Sequence, residues 1–121
     1  VRKDGGADES GDCLVPNSLM DREIFVGDGK RLVFNKSNRG ELIEETKNGM
    51  IVTPFSYTFH RSGHCKARVV LRFSIRIGFQ TTVYNLTFTA DGDAGIFVAS
   101  EYERGNIEDR FDGNFTISMN P

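Results

Sequence analysis

A strict alternation of apolar and polar side chains between residues 68 and 80 constrains the fold of this chain more than any other feature. Six apolar side chains share one parity, namely Val69, Leu71, Phe73, Ile75, Ile77 and Phe79. The other parity holds mostly polar side chains, including Arg68, Arg72, Ser74, Arg76 and Gln80. A helix would scatter the six apolar side chains around its axis, whereas a strand places them on one face. The pattern therefore predicts one β-strand with an apolar inner face.

Shorter alternations and turn signals surround this segment. Residues 55–59 and 84–90 repeat the period of two, with aromatic or aliphatic side chains on one parity. Gly27-Asp28-Gly29 and Asn48-Gly49 predict tight hairpin turns, since these residues tolerate positive φ. Residues 41–46 fit a strand or, alternatively, a helical turn. Pro54 is expected to separate two strands, and residues 105–113 are expected to form a charged loop.

About eight or nine short strands and no long helix predict an all-β fold. We expect an antiparallel β-sandwich, with a closed β-barrel as the alternative. The length of 121 residues fits one domain. Residues 13–121 are therefore expected to form a single β-sandwich domain. Residues 1–12, which are rich in Gly, Asp and charged side chains, are expected to form a flexible N-terminal tail.

The cysteines and the glycosylation sequons indicate a secreted, extracellular protein. Cys13 and Cys65 are the only cysteines, which favours one disulfide bond in an oxidising compartment over two free cytosolic thiols. In the chain-entropy model, closing so long a loop stabilises the fold by about 4 kcal/mol. Sequons begin at Asn35, Asn85 and Asn114, the last two on the polar parity of their strands. No apolar run approaches the ~18–20 residues that a membrane span requires, so no membrane span is expected.

Opposite charges are segregated along the chain. Residues 60–80 contain five Arg or Lys and no acidic residue, whereas residues 91–112 contain seven Asp or Glu and two Arg. One interpretation is cross-strand pairing of the arginines with Glu101 and Glu103. The other is a surface that binds an anionic ligand or an acidic partner through guanidinium forks. The candidate binding residues are His60, Lys66, Arg68, Arg72 and Arg76.

Catalytic and metal-binding patterns are weak. Glu101, Glu103, Asp91 and Asp93 would have to supply the carboxylates of a glycosidase, but they are interpreted as turn or solvent-facing residues. His60, His64 and Cys65 have the spacing of a surface turn rather than of a zinc site. We therefore expect no metal, no cofactor and no catalytic residue. A ribonuclease-like enzyme would need His60, Arg72 and a carboxylate to converge in one cleft.

These patterns favour a secreted, non-enzymatic recognition protein of the effector type that binds a protein or an anionic glycan through its loops and basic outer sheet face. In size, strand content and few cysteines the chain resembles the small secreted β-sandwich effectors of plant-pathogenic fungi, a likeness of format that involves no particular residues. The alternatives are a ribonuclease-like enzyme, a carbohydrate-binding module, which usually presents exposed aromatic side chains, and a lipid carrier with a hollow barrel. The net charge of −2 gives no reason to expect a nucleic-acid partner. The oligomeric state is not indicated.

Overall fold

A computed structural model describes residues 15–75, 78–89 and 91–119 of the chain. Within these ranges the secondary structure consists of eight β-strands. They are β1 (Arg22–Gly27), β2 (Lys30–Phe34), β3 (Arg39–Thr46), β4 (Gly49–Gly63), β5 (Lys66–Ile75), β6 (Gly78–Phe88), β7 (Ala94–Glu103) and β8 (Asn106–Met119). Each strand pairs antiparallel with its neighbours in sequence, and β8 returns to pair with β1, which closes a barrel. Among the described residues no helix has the length and apolar character of a membrane span.

The all-β prediction is confirmed, and the structure has the closed barrel rather than the sandwich. In both architectures each strand has one core-facing and one outward-facing side, so side-chain alternation alone does not distinguish them. A barrel differs from a sandwich in that its first strand pairs with its last. Here four residue pairs join β1 to β8, from Arg22 with Met119 to Phe25 with Thr116. The predicted tail at residues 1–12 lies outside the described residues.

Eight of the 18 buried core residues of the barrel are aromatic. Phe34, for example, is fully buried, and its ring centroid lies 4.7 Å from that of Tyr57 in an edge-to-face contact. Residues 15–21 cover the end of the barrel opposite the β1–β2 turn, where Val15 and Leu19 join the core. We call this the closed end. The open end carries the β1–β2, β3–β4 and β7–β8 turns.

The predicted strand from Val69 to Phe79 is in fact two strands joined by a hairpin. Ile75 pairs with Gly78, which has a φ of 95°, and Ser74 pairs with Phe79. Because Ile75 pairs with Gly78, the parity is reversed after this point, and even-numbered residues of β6 point inward. Val69, Leu71 and Phe73 are buried as predicted, but the inward prediction for Phe79 is wrong, because its side chain is 51% exposed. Residues 76–77 lie outside the described residues.

Two further boundaries differ from expectation, while the hairpins agree. Pro54 lies inside β4 instead of separating two strands, and most of the predicted loop at residues 105–113 belongs to β8. The turns at residues 27–29 and 48–49 are confirmed. Residues 41–46 form part of β3, which confirms the strand over the helical turn.

Two glycines allow adjacent strands to approach closely. Gly40 lies between Phe34 and Phe55, and Gly95 lies between Phe88 and Phe115. A Cβ on Gly95 would overlap the carbonyl oxygen of Thr87 and lie 2.8 Å from the Phe115 ring. Neither glycine has a positive φ, so space rather than backbone conformation requires them. Such glycines accommodate the bending that closes a small barrel.

Candidate functional site

Four of the five predicted binding residues lie together on the outer surface of β4 and β5. His60, Lys66, Arg68 and Arg72 are all exposed, and His60 is the direct cross-strand partner of Arg68. Alternate residues of a strand are about 7 Å apart, which places Lys66 beside Arg68 and Arg72 two outward positions further along β5. We call these four residues the basic face. Arg76, the fifth, lies outside the described residues.

The basic face has no acidic cross-strand neighbours in the ladders that the structure describes. Beyond His60, the residues paired with its three β5 cations are Ser56, Gly63, Thr81, Asn85 and Thr87, which are all uncharged. The predicted pairing with Glu101 and Glu103 is absent, because β7 pairs with β6 and β8 and not with β5. Strand order therefore leaves these cations without the neutralising partners that the charge pattern suggested.

A cleft extends the basic face where β4 and β5 separate. The ladder between these strands ends at the Ser56–Arg72 pair, although β4 begins at Gly49 and β5 continues to Ile75. Pro54 has no N–H to donate beyond that point, which accounts for the separation. A cavity of about 490 Å³ lies there, and its charged lining residues are Arg39, Glu41 and Arg72. We call it the side cleft.

Within the side cleft the Arg72 guanidinium lies over an aromatic ring. Its central carbon is 4.5 Å from the centroid of Phe79, a cation–π geometry that restrains the side chain. Arg39 belongs to the same outward row, because both Arg39 and Arg72 pair with Ser56. Sequence reasoning missed Arg39 because it precedes Gly40 at the start of β3, outside any clear alternation.

A second cavity, of about 250 Å³, lies inside the barrel near the open end. We call it the mouth cavity. Its apolar wall includes Leu32, Leu42, Leu71, Phe73 and Phe111. Its polar lining includes Lys30, Glu44, Gln80, Thr82, Tyr84 and Glu101. The interpretation of Glu101 as a solvent-facing residue is therefore wrong, since it continues the inward parity of Phe97 and Ala99 on β7.

The electrostatics of the mouth cavity are set by two carboxylates and one ammonium. Lys30 Nζ lies 3.8 Å from Glu44 Oε2. Burial raises the pKa of Glu101, and the neighbouring Asp109 and Glu44 add to this while Lys30 opposes it. Burial, followed by the negative charges of Glu101 and Glu44, also raises the pKa of Tyr84. The Tyr84 hydroxyl is therefore protonated throughout the physiological pH range.

Glu101→Gln is expected to stabilise the protein slightly at pH 7. A carboxyl whose pKa is higher in the folded than in the unfolded state costs stability when ionised, and that cost disappears as the pH falls through its pKa. The gain should thus be present at neutral pH and fade towards acid pH, and it should stay below about 1 kcal/mol because solvent screens Glu101. Urea unfolding at several pH values measures it, with Glu108→Gln on exposed β8 as the control. A loss of stability at pH 7 specific to Glu101→Gln would contradict this.

The predicted disulfide and sequons are only partly described. Cys65 lies half-buried in the β4–β5 turn with a φ of 62°, but Cys13 lies outside the described residues, so the bond stays a prediction. Asn35, Asn85 and Asn114 are all exposed. Asn85 is the direct cross-strand partner of Arg68, so a glycan on Asn85 would cover part of the basic face. Occupancy of the sequons also stays a prediction.

The conditions for a ribonuclease-like centre are not met in the described part of the chain. His60 and Arg72 share the outer face, but the Thr58–Val70 pair lies between the His60–Arg68 and Ser56–Arg72 pairs. His60 does not line the side cleft to which Arg72 and Glu41 belong. No cluster of three or more His, Cys, Asp or Glu residues suitable for a metal ion occurs in the described ranges.

Comparisons of this chain with protein-family models, with curated proteins and with solved structures found no match. The basic face with its side cleft and the mouth cavity are therefore the basis for proposing a function.

Proposed function

We propose that this protein is a secreted recognition protein that binds an anionic glycan on its basic face. The observation that carries the proposal is the set of outward cations on β5, Lys66, Arg68 and Arg72, whose cross-strand neighbours include no carboxylate. Guanidinium groups bind sulfate and carboxylate in bidentate fashion, and they do so best where no protein carboxylate competes. The exposed sequons support the secreted location.

Neighbouring side chains favour a glycan over an acidic protein surface. Ser56 and Thr81 flank Arg72 across the sheet and supply hydroxyl groups that suit sugar hydroxyls. Phe79 adds an exposed aromatic ring beside them, of the kind that carbohydrate-binding modules present. The side cleft has Arg39, Arg72 and Glu41 as its charged lining residues, so two guanidinium groups face one carboxylate and the cleft keeps a positive charge for one acidic group of the glycan.

Dextran sulfate and uncharged dextran form a matched pair of probes for the proposal. We expect dextran sulfate to bind and dextran not to bind. Arg68→Gln combined with Arg72→Gln should weaken dextran sulfate binding at least tenfold, about 1.4 kcal/mol. Lys47→Gln combined with Arg110→Gln removes the same charge from exposed positions elsewhere and should change affinity less than about twofold. Calorimetry measures the affinities of both double variants. All proteins in this experiment carry Asn85→Gln, which removes the sequon beside Arg68.

Two results would overturn the proposal. Equal losses in the two double variants would mean that net charge, rather than the basic face, attracts the polyanion. Binding of polyglutamate as tight as that of dextran sulfate would mean that an acidic protein is recognised equally well.

A further inference from the structure

Two buried hydroxyl groups at the mouth cavity have no hydrogen-bond partner among the residues that the structure describes. Thr82 is 4% exposed and Tyr84 is 5% exposed, and both line the cavity. Among the described residues neither hydroxyl makes a hydrogen bond to another group of the chain. An unpaired buried polar group costs about 1–3 kcal/mol, so native structures satisfy such groups with protein, water or a ligand. A molecule in the cavity can supply that partner, because both residues line it.

The size and wall of the cavity limit what it holds. An apolar cavity of about 150 Å³ accommodates benzene, and the mouth cavity measures about 250 Å³. One ring with a short chain fits, whereas a long acyl chain does not, because aromatic side chains fill the interior towards the closed end. The lipid carrier considered from the sequence would need that space. The apolar wall suits a hydrocarbon body, and the polar lining suits one polar head.

The charges around the cavity determine the sign of that head. The ammonium of Lys30 lies beside Glu44, and Glu101 is paired across the sheet with Thr82 on one side and Asp109 on the other. Carboxylates thus outnumber the single ammonium. An anionic head would be repelled, whereas an ammonium would donate hydrogen bonds to Glu101 and to the oxygen of a buried hydroxyl.

We propose that the mouth cavity binds a small organic amine, with its hydrocarbon body against Leu71, Phe73 and Phe111 and its ammonium beside Glu101 and Tyr84. This site lies inside the barrel and is separate from the basic face, so either proposal can fail without the other. The amine is identified by charge and size, as a primary amine with a body of about one ring.

Three probes of nearly equal size test the proposal: 2-phenylethylamine, 2-phenylethanol and phenylacetate. The amine should bind at least tenfold more tightly than the alcohol, and phenylacetate should not bind. At about 10 mM, an amine with a Kd near 1 mM would raise Tm by roughly 5 °C. Calorimetry and thermal unfolding of the full chain measure both quantities.

Matched variants connect the binding to the named residues. Glu101→Gln should weaken amine binding about tenfold, whereas Glu108→Gln, which removes the same charge from an exposed position of β8, should leave it unchanged. Tyr84→Phe keeps the ring and should weaken binding about threefold. Equal affinity for all three probes, equal effects of the two glutamate variants, or no Tm shift with any probe would overturn the proposal and leave a cavity that holds water only.

Discussion

Phe34→Ala is expected to lower the free energy of unfolding by about 3–5 kcal/mol, a large part of the stability of a domain of this size. The Phe34 side chain is fully buried at the end of β2. Its ring packs edge to face against Phe55 and Tyr57, at centroid distances of 5.6 and 4.7 Å. Alanine would remove these contacts and leave a void in the barrel interior. Urea denaturation followed by circular dichroism measures the loss.

Phe25→Ala is the matched control for this experiment. Phe25 lies on the neighbouring strand β1, where its side chain points outward and is 41% exposed. The same change of residue there should cost less than about 1 kcal/mol. Similar losses for the two variants would contradict the aromatic packing described for the interior.

Gly95→Ala is expected to cost about 3 kcal/mol or more, although it adds one methyl group. The new Cβ would overlap the Thr87 carbonyl oxygen, which belongs to the paired strand β6, and would press on the Phe115 ring. A flexible side chain can move away from such a contact, but a backbone carbonyl in a ladder moves only with its strand. Thermal unfolding should show a Tm lowered by roughly 10 °C.

Gly63→Ala separates this effect from the general cost of replacing glycine in a strand. A Cβ on Gly63 would meet only the Lys66 side chain at 3.8 and 3.9 Å, which is ordinary van der Waals contact. Its φ is not positive, so alanine is not strained there. We expect a change within about 0.5 kcal/mol. A Gly95→Ala variant as stable as Gly63→Ala would show that β6 and β7 are further apart than described.

Local patterns predicted the strands well, but not where one of them ends. The hairpins at residues 27–29 and 48–49 follow from turn residues that tolerate positive φ. The hairpin before Gly78 was missed because apolar residues continue at odd positions across it, with Phe79 keeping the parity of Phe73 although it now points outward. The signal in the sequence was Gly78, which interrupts the alternation.

The candidate sites depend on which strands are neighbours, and the sequence does not give that order. Outward exposure of Arg68 and Arg72 was predictable from parity alone. The absence of acidic partners was not, since it requires β6 to lie between β5 and β7. Glu101 was assigned to solvent because it lies in an acidic segment, whereas its parity with Phe97 and Ala99 indicated the interior.

The separation of β4 from β5 next to Pro54 affects how the barrel opens locally. A closed barrel has no terminal strand from which to unravel, so fluctuations begin where a seam is already incomplete. One such point is the last pair of the β4–β5 ladder, Ser56 with Arg72. Breaking a few hydrogen bonds from the Ser56–Arg72 pair towards Gly63 would separate β4 from β5, while the other seven strand pairs stay intact. The amides along this stretch of β4 and β5 would then exchange with deuterated solvent sooner than those between β7 and β8.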